Sequence, residues 1–376
     1  MKVHHAARLF RGCSCGVVII ERIVIITIHA VIIPAFSYTS MGLLLRLCSV
    51  SLLCASVLAG CTTDPGPLPR EANVVVHGMP PSPAGTHYTL RVSTPVSGKL
   101  ASSSGAQHSE AAYVAIGTFT VPSATDTIPL NIEGNGPVHF VIPDSVETNI
   151  LQDAIITIDV NTAPPSDPGI RFLAGDFTGD NITARATLAL DGRDAFGSAF
   201  STISGEAALD APTGTFPADS ARGIWFVAYN VDGSGTITGV GPGLTLPILP
   251  VNDETEGWSY QGWIARQANS VTTIYTPLGR FFGQGGSDNT GAGPGAGAGT
   301  PYPYPGEDFV TGAGARSLND GRTLVIVSLD PVGIALDKPF LPLMISSTIS
   351  EAIPSRTPFL LQNSTREPSV QVSIRR

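Results

Sequence analysis

The chain reads as all-β, with two β-sandwich-like domains in tandem behind an N-terminal export segment. Three observations point there. Gly (41) and Pro (31) approach a fifth of the 376 residues, while charged residues are only 14%. That balance suits short strands joined by many turns and disfavours long solvent-facing helices. Runs alternating in period two recur along the chain, as half-buried strands require. Finally, a set of short strand–turn words occurs twice in the same order, which is how a divergent tandem duplication looks.

The body opens with Asn73–His77, a strand-like run before a Gly-Met-Pro-Pro-Ser-Pro turn cluster. Thr86–Val92, Ala112–Val121, Pro137–Ile142, Ala154–Val160 and Arg171–Phe177 follow as strands, and Asn181–Leu190 ends at an Asp191-Gly192 turn signal. These make domain 1, residues 73–191. The small, polar stretch 192–220 reads as a connector. Domain 2, residues 221–346, takes the apolar Gly223–Tyr229, then Trp258–Arg266, Pro277–Phe282, Arg322–Asp330 and Leu341–Ile345. Its Gly/Ala-rich segment 283–300 reads as a flexible loop, stiffened where Pro301-Tyr-Pro-Tyr-Pro305 rejoins the sheet. Residues 347–376 read as a polar tail.

The duplicated words are Tyr88–Val92 with Tyr260–Ile264, Gly117–Phe119 with Gly279–Phe281, and Ile156–Asp159 with Val327–Asp330. In domain 2 they form Tyr260–Ile264, Leu278-Gly-Arg-Phe281 and Val325–Pro331. That series resembles the C-terminal, extracytoplasmic domain of anti-sigma-K factors, and the resemblance implies a β-sandwich. It does not imply sigma-factor binding, which in that family sits in a cytoplasmic N-terminal domain ahead of a membrane helix. Where the family carries Glu before Pro, this chain has Asp330 before Pro331, and Asp159 is followed by Val160.

Upstream, Arg46 precedes an apolar run, Leu47–Val57, that is too short to span a bilayer, and small residues lead to Cys61. Leu58-Ala59-Gly60-Cys61 is similar to the lipobox of bacterial lipoproteins. This implies cleavage before Cys61 and acyl chains on it, so that the membrane itself is the first partner. All five cysteines (Cys13, Cys15, Cys48, Cys54, Cys61) lie at or before that cut, which leaves a body with no disulfide and no Cys-based metal site. Residues 41–60 are then the signal peptide, and 1–40 either a leader or a translation start placed too early. Residues 61–72 form a Pro-rich tether. Thr62 is not the Asp that resembles an inner-membrane retention signal, which favours the outer membrane.

The net charge of −9 argues against nucleic acid as a partner, because counterion release needs clustered Lys and Arg. No Gly-x-Ser-x-Gly elbow or His-Glu-x-x-His spacing appears, and no cofactor motif. His77 and His87 would share a zinc only if their strands were neighbours, and a third ligand is missing. Asn230–Thr238 and Asp176–Asp180 place oxygens at alternate positions, as a calcium loop does, but plain turns explain both. Trp225, Trp258, Tyr260 and Trp263 would stack on sugars if exposed; packing in a core is their ordinary fate. The expected role is non-catalytic, structural or interaction-bearing, on the cell envelope. A module binding an envelope glycan or peptide is the alternative.

Overall fold

The computed structural model describes residues 70–94, 113–131, 136–161, 169–180, 182–193, 195–197, 200–249 and 257–375. Cys61, the expected signal peptide and most of the tether lie outside them. In chain order the strands are β1 (Glu71–His77), β2 (Thr86–Ser93), β3 (Tyr113–Phe119), β4 (Phe140–Val141), β5 (Asp153–Val160), β6 (Ile170–Asp176) and β7 (Thr178–Gly179). Next come β8 (Thr183–Ala189), β9 (Ser204–Leu209), β10 (Gly223–Trp225), β11 (Val227–Val231), β12 (Ile237–Pro242), β13 (Leu244–Thr245) and β14 (Trp258–Gln267). The last six are β15 (Thr273–Phe281), β16 (Gly306–Asp308), β17 (Thr323–Pro331), β18 (Leu341–Ser346), β19 (Phe359–Asn363) and β20 (Ser369–Arg375). Among the described residues there is no α-helix.

The strands form two nine-stranded antiparallel sheets and one hairpin, β11–β12. One sheet runs β3-β2-β5-β6-β8-β20-β1-β4, with β7 attached to β8; the other runs β15-β14-β17-β18-β19-β9-β10-β16, with β13 attached to β9. Place for place, these are one arrangement used twice. Tyr88 faces Ile158 on one side and Phe119 on the other, just as Tyr260 faces Leu329 and Phe281. Even the bulge recurs, between Leu90 and Arg91 in one unit and between Gln261 and Trp263 in the other. The tandem repetition expected from the short words is therefore present in the topology.

At the sixth place of each order the chain crosses over. β9 follows β8 in sequence but lies between β19 and β10; β20 follows β19 but lies between β8 and β1. Each sheet is completed by a strand from the other half of the chain. Two assignments change with this. The segment read as connector contains β9, and the segment read as polar tail contains β19 and β20. Along β20, Val370, Val372 and Ile374 are buried, so the alternation of Ser369–Arg375 is that of a strand with one wet face.

Each sheet nearly closes into a barrel, bringing its two end strands together. In the first, Gly117 of β3 lies so close to β4 that an added Cβ would sit 2.5 Å from Phe140 Cδ1. A single apolar core runs through both units. Trp258 joins them: its ring lies 5.2 Å from Phe172, 5.3 Å from Phe196 and 5.8 Å from Phe340, and its Nε1–H donates to the Arg171 carbonyl at 2.7 Å.

The second half of the Gly/Ala-rich segment lies against the Pro212–Thr213 backbone, while Gly283, Gly285 and Gly286 before it stand in open space. Gly297 N–H donates to Thr213 Oγ1 at 2.7 Å, Gly299 N–H to the Thr213 carbonyl at 3.2 Å, and the Gly295 carbonyl accepts from the Val310 N–H at 2.9 Å. A Cβ at Gly299 would collide with the Pro212 carbonyl, and one at Gly297 with that of Thr213. Glycine is needed there because backbone meets backbone, with no side chain that is able to yield. The following Tyr302 is likewise absorbed, its ring edge-on to Trp225 at 5.5 Å.

Two outcomes follow for stability. Leu188→Ala, in fully buried β8 packing, is expected to cost about 2–5 kcal/mol. Because the core and the exchanged strands are shared, urea midpoints by far-UV circular dichroism and by tryptophan fluorescence should fall together, although every tryptophan lies in the second sheet. Separate transitions would show independent domains. Gly299→Ala should destabilise by about 1–3 kcal/mol through overpacking. Gly283→Ala, where a Cβ meets nothing within 4 Å, should stay within about 0.5 kcal/mol in the same titration.

Candidate functional site

The residues singled out by sequence scatter. β1 and β2 are separated by four strands in their sheet, so His77 and His87 do not meet. His87 Nδ1 instead pairs with Asn161 Oδ1 at 2.8 Å. Among the described residues, no group of three His, Cys, Asp or Glu is placed to hold a metal ion. The Asp232 carboxylate closes the β11–β12 turn, with its Oδ1 accepting from Ser234 N–H (2.9 Å), Ser234 Oγ (2.6 Å) and Thr236 N–H (2.9 Å). Asp180 likewise accepts from the Ile182 and Thr183 N–H groups, each at 2.8 Å. Trp225, Trp258, Tyr260 and Trp263 are all buried in cores and offer no platform for a sugar ring.

What the repeats do share is a strand-to-strand polar link. Arg91 of β2 donates Nη2–H to Asp159 Oδ2 at 2.8 Å and Nε–H to Thr157 Oγ1 at 3.2 Å. At the matching place in β14, Trp263 Nε1–H reaches Asp330 Oδ2 at 3.1 Å and Ser328 Oγ at 2.9 Å. The other carboxylate oxygen takes a backbone N–H in both, from Gly169 and from Phe340, each at 3.0 Å. Burial raises both carboxyls' pKa. In Asp159 this is outweighed by hydrogen bonds from Thr89 and Thr157 and by the Arg91 charge, leaving it below the usual value. In Asp330, with indole in place of guanidinium, burial prevails and holds the carboxyl up at about 6.

The repeats differ most at the seam where each sheet nearly closes. The first seam is apolar, with Phe140 against Gly117 and 5.8 Å from Phe119. The second is acidic. Asp288 spans it: Oδ2 accepts from the Gly306 N–H of β16 at 2.9 Å, while Oδ1 accepts from Thr290 Oγ1 at 2.7 Å. Gly279 of β15, at φ +100°, leaves the room, since a Cβ there would lie 2.5 Å from that same Oδ1. Asp308 accepts from Trp225 Nε1–H (2.6 Å), Thr213 Oγ1 (2.6 Å) and Thr213 N–H (2.9 Å).

Glu307 lies between them in sequence and is 97% buried (3% exposed), yet its carboxyl makes no hydrogen bond or ion pair with any described residue. It lines a cleft of about 640 Å³ with Gln261, Thr276, Arg280, Asn289 and Arg316. Burial, then the charges of Asp288 and Asp308, push the Glu307 carboxyl up to about 8, with Arg316 opposing them. Three other buried or half-buried carboxylates sit on arginines, Asp159 on Arg91 at 2.8 Å, Asp210 on Arg356 at 2.9 Å and Asp320 on Arg266 at 2.6 Å, whereas buried Asp330 and Asp153 accept from Trp263 and Tyr113. Asp288, Glu307 and Asp308 have no arginine partner among the described residues. Arg316 lies with its guanidinium 4.8 Å above the Phe309 ring and Nη2–H donating to Thr276 Oγ1 at 3.2 Å, while its buried Nε–H is left without a partner.

The sequence contains this site only as Gly306-Glu-Asp-Phe309, a word with no recognisable motif. Its signal was a pair of acids flanked by apolar residues in a strand, where carboxylates are normally excluded. In comparisons with protein families, curated proteins and solved structures, the chain matches none of them.

Glu307 also sets a pH dependence. In the unfolded chain it titrates near 4.5 and in the fold near 8, so its protonation favours folding. That contribution is complete below about pH 4.5 and disappears as pH rises through about 8. Glu307→Gln should flatten the decline in stability between those limits, and above pH 8 the variant should be the more stable protein by a few kcal/mol. Urea midpoints across that range measure it; parallel curves would mean that Glu307 ionises normally.

Proposed function

We propose that the protein is an exported lipoprotein, held on the cell envelope by acyl chains on Cys61, whose two-domain body is a non-catalytic structural or interaction module. One observation carries the reading: every cysteine lies at or before Cys61, so that the body is held by packing, shared strands and buried polar links with no disulfide. β1 begins at Glu71, so the tether enters the first sheet directly. The C-terminal β20 lies beside β1. A pull on the anchor is thus borne by a strand paired with β20 over six of its seven residues. Thr62 favours the outer membrane.

The non-catalytic part of the proposal is supported by how the buried acids are used. Asp159, Asp210, Asp308 and Asp330 fasten strands and loops to one another. The words resembling anti-sigma-K C-terminal domains fall on β14, β15 and β17, three adjacent strands. On this reading the body is built like that family's extracytoplasmic module. The alternative, a module that binds an envelope ligand, loses the aromatic strip as its platform and gains the second seam.

Intact-mass analysis of the membrane fraction tests the anchor. The expected species begins at Cys61 and carries acyl chains, and Cys61→Ser should yield neither the cut nor the added mass. Anchoring needs more than one chain, because a single one binds reversibly. A mature chain that starts elsewhere, or starts at Cys61 unmodified, would refute the proposal.

A further inference from the structure

We propose that the open edge of β15, with the cleft beside it, is a binding site for an extended peptide, which adds to the sheet as a short strand and sets an uncharged carboxamide side chain against Glu307. The inference goes beyond the envelope role and holds whether or not Cys61 is acylated. It rests first on the edge. Ala268 N–H donates to the Thr272 carbonyl at 2.9 Å, and Gln267 N–H to the Arg322 carbonyl at 3.3 Å. These bonds fix the alternation along β15. Ile274 and Thr276 turn their N–H and C=O groups to Arg266 and Ile264 of β14, while Thr273, Tyr275 and Pro277 turn theirs outward. Proline suits 277, having no N–H to leave unpaired.

No described residue takes the outward backbone groups of Thr273, Tyr275 or Pro277. Farther along, the same edge is covered. Thr290 Oγ1 donates to the Leu278 carbonyl at 3.4 Å, and Asn289 N–H to the Arg280 carbonyl at 2.9 Å. An uncovered edge is a template for another strand. Pro277 stops its run of free N–H groups at Tyr275, which suits a short peptide better than a long strand from a second copy.

The cleft supplies the second observation. Thr276 and Pro277 belong to its wall, so the open edge runs into it. Three polar groups of its lining have no hydrogen-bond partner among the described residues: the Glu307 carboxyl, the carboxamide of buried Gln261 and the Arg316 Nε–H. A ligand of either charge meets opposition there. An ammonium would meet the guanidinium groups of Arg280 and Arg316. A carboxylate would meet Glu307, around which Asp288 and Asp308 outweigh Arg316. A carboxamide is neutral and brings a donor and an acceptor on neighbouring atoms. Burial, and then the charges of Asp288 and Asp308, hold the Glu307 carboxyl at about 8, so at neutrality it is protonated. Acid and amide then pair through two hydrogen bonds, Glu307 O–H to the amide oxygen and amide N–H to the Glu307 carbonyl oxygen. The amide oxygen keeps a lone pair for Arg316. A sugar would leave the strand edge unpaired; a peptide satisfies edge and cleft together.

Calorimetric titration of the full chain at pH 6 with acetyl-Val-Thr-Asn-Thr-Val-amide tests this. Beside it run peptides with Lys, Asp or Leu in place of Asn, the Asn peptide with every backbone N–H methylated, and propionamide. The Asn peptide should saturate, with no proton taken up or released in buffers of different ionisation heat. Each of the others should bind about tenfold or more weakly, the loss of one or two hydrogen bonds. Read by NMR, the Asn peptide should slow hydrogen exchange at the Thr273 and Tyr275 amides and leave Ile274 and Thr276 unchanged, since β14 already holds these. Glu307→Gln, still able to pair with an amide, should keep the affinity, and Glu307→Leu should lose it. Should the Leu variant fold poorly, exchange at Tyr275 in the native chain decides. Equal or tighter binding of any comparison ligand, proton release, unchanged binding by Glu307→Leu, or no saturable binding up to the solubility limit would each overturn the proposal. So would a dimer of the free chain in which the Tyr275 amide is already protected, because the edge would then belong to a second copy.

Discussion

The reciprocal placing of β9 and β20 is the constraint on which the rest of the architecture depends. A sheet lacking its sixth strand would expose two rows of unpaired N–H and C=O groups in its middle, where water is scarce and the penalty for each is full. Here neither half of the chain fills its own gap. β20 pairs with β8 over seven residues and with β1 over six, so the first sheet is not closed until the last strand has arrived. Trp258 and the phenylalanines around it then bury the join. The cost is kinetic, because pairs such as Ala72 with Ile374 span nearly the whole body, and such non-local pairing is slow.

Much of the fold was legible because β-strands announce themselves by alternation. Tyr88–Val92, Ile156–Asp159 and Val327–Asp330 were readable as strands and as duplicates, and all three sit in the central strands β2, β5 and β17. Ser369–Arg375 alternates just as cleanly, with Val370, Val372 and Ile374 inward; its polar neighbourhood hid it. β9 offered less. Ser-Gly-Glu-Ala-Ala-Leu is small because Gly205 meets the side chains of Leu244, Met344 and Leu361, and smallness reads as linker unless the partners are known. The close backbone approach of Gly297 and Gly299 was hidden for the same reason. Composition records that glycine is present, not whether it is there for freedom or for contact.

The site was illegible for a different reason. Burial of a carboxylate is a property of the fold, and Glu307 looks like any other glutamate until β16 is placed against β10 and Gly293 against its carboxyl. Comparison between the repeats supplies what a single copy lacks. At the polar link the two copies kept an acid and changed its partner from guanidinium to indole. At the seam one copy kept phenylalanine against glycine while the other accumulated acids. Both changes lie in the second unit, and both leave a carboxyl above its usual pKa. Duplicates that share a core are free to diverge in this way, since the more regular copy continues to stabilise both.

That freedom bears on why Glu307 remains. A glutamate buried without a partner is among the few single residues whose replacement by an uncharged isostere is expected to strengthen a protein. Local rules broken without visible compensation concentrate at functional sites. Accident is the other explanation, but accident has a form: a stray acid turns outward or takes the nearest donor, as Asp180 and Asp232 do at their turns. Glu307 does neither. Its neighbours Asp288 and Asp308 take N–H and O–H donors of the seam, and glycines at 279 and 293 clear the space around the carboxyls. At this seam two acids are satisfied by protein donors, while the third lines a cleft beside a guanidinium whose buried Nε–H is likewise left unpaired.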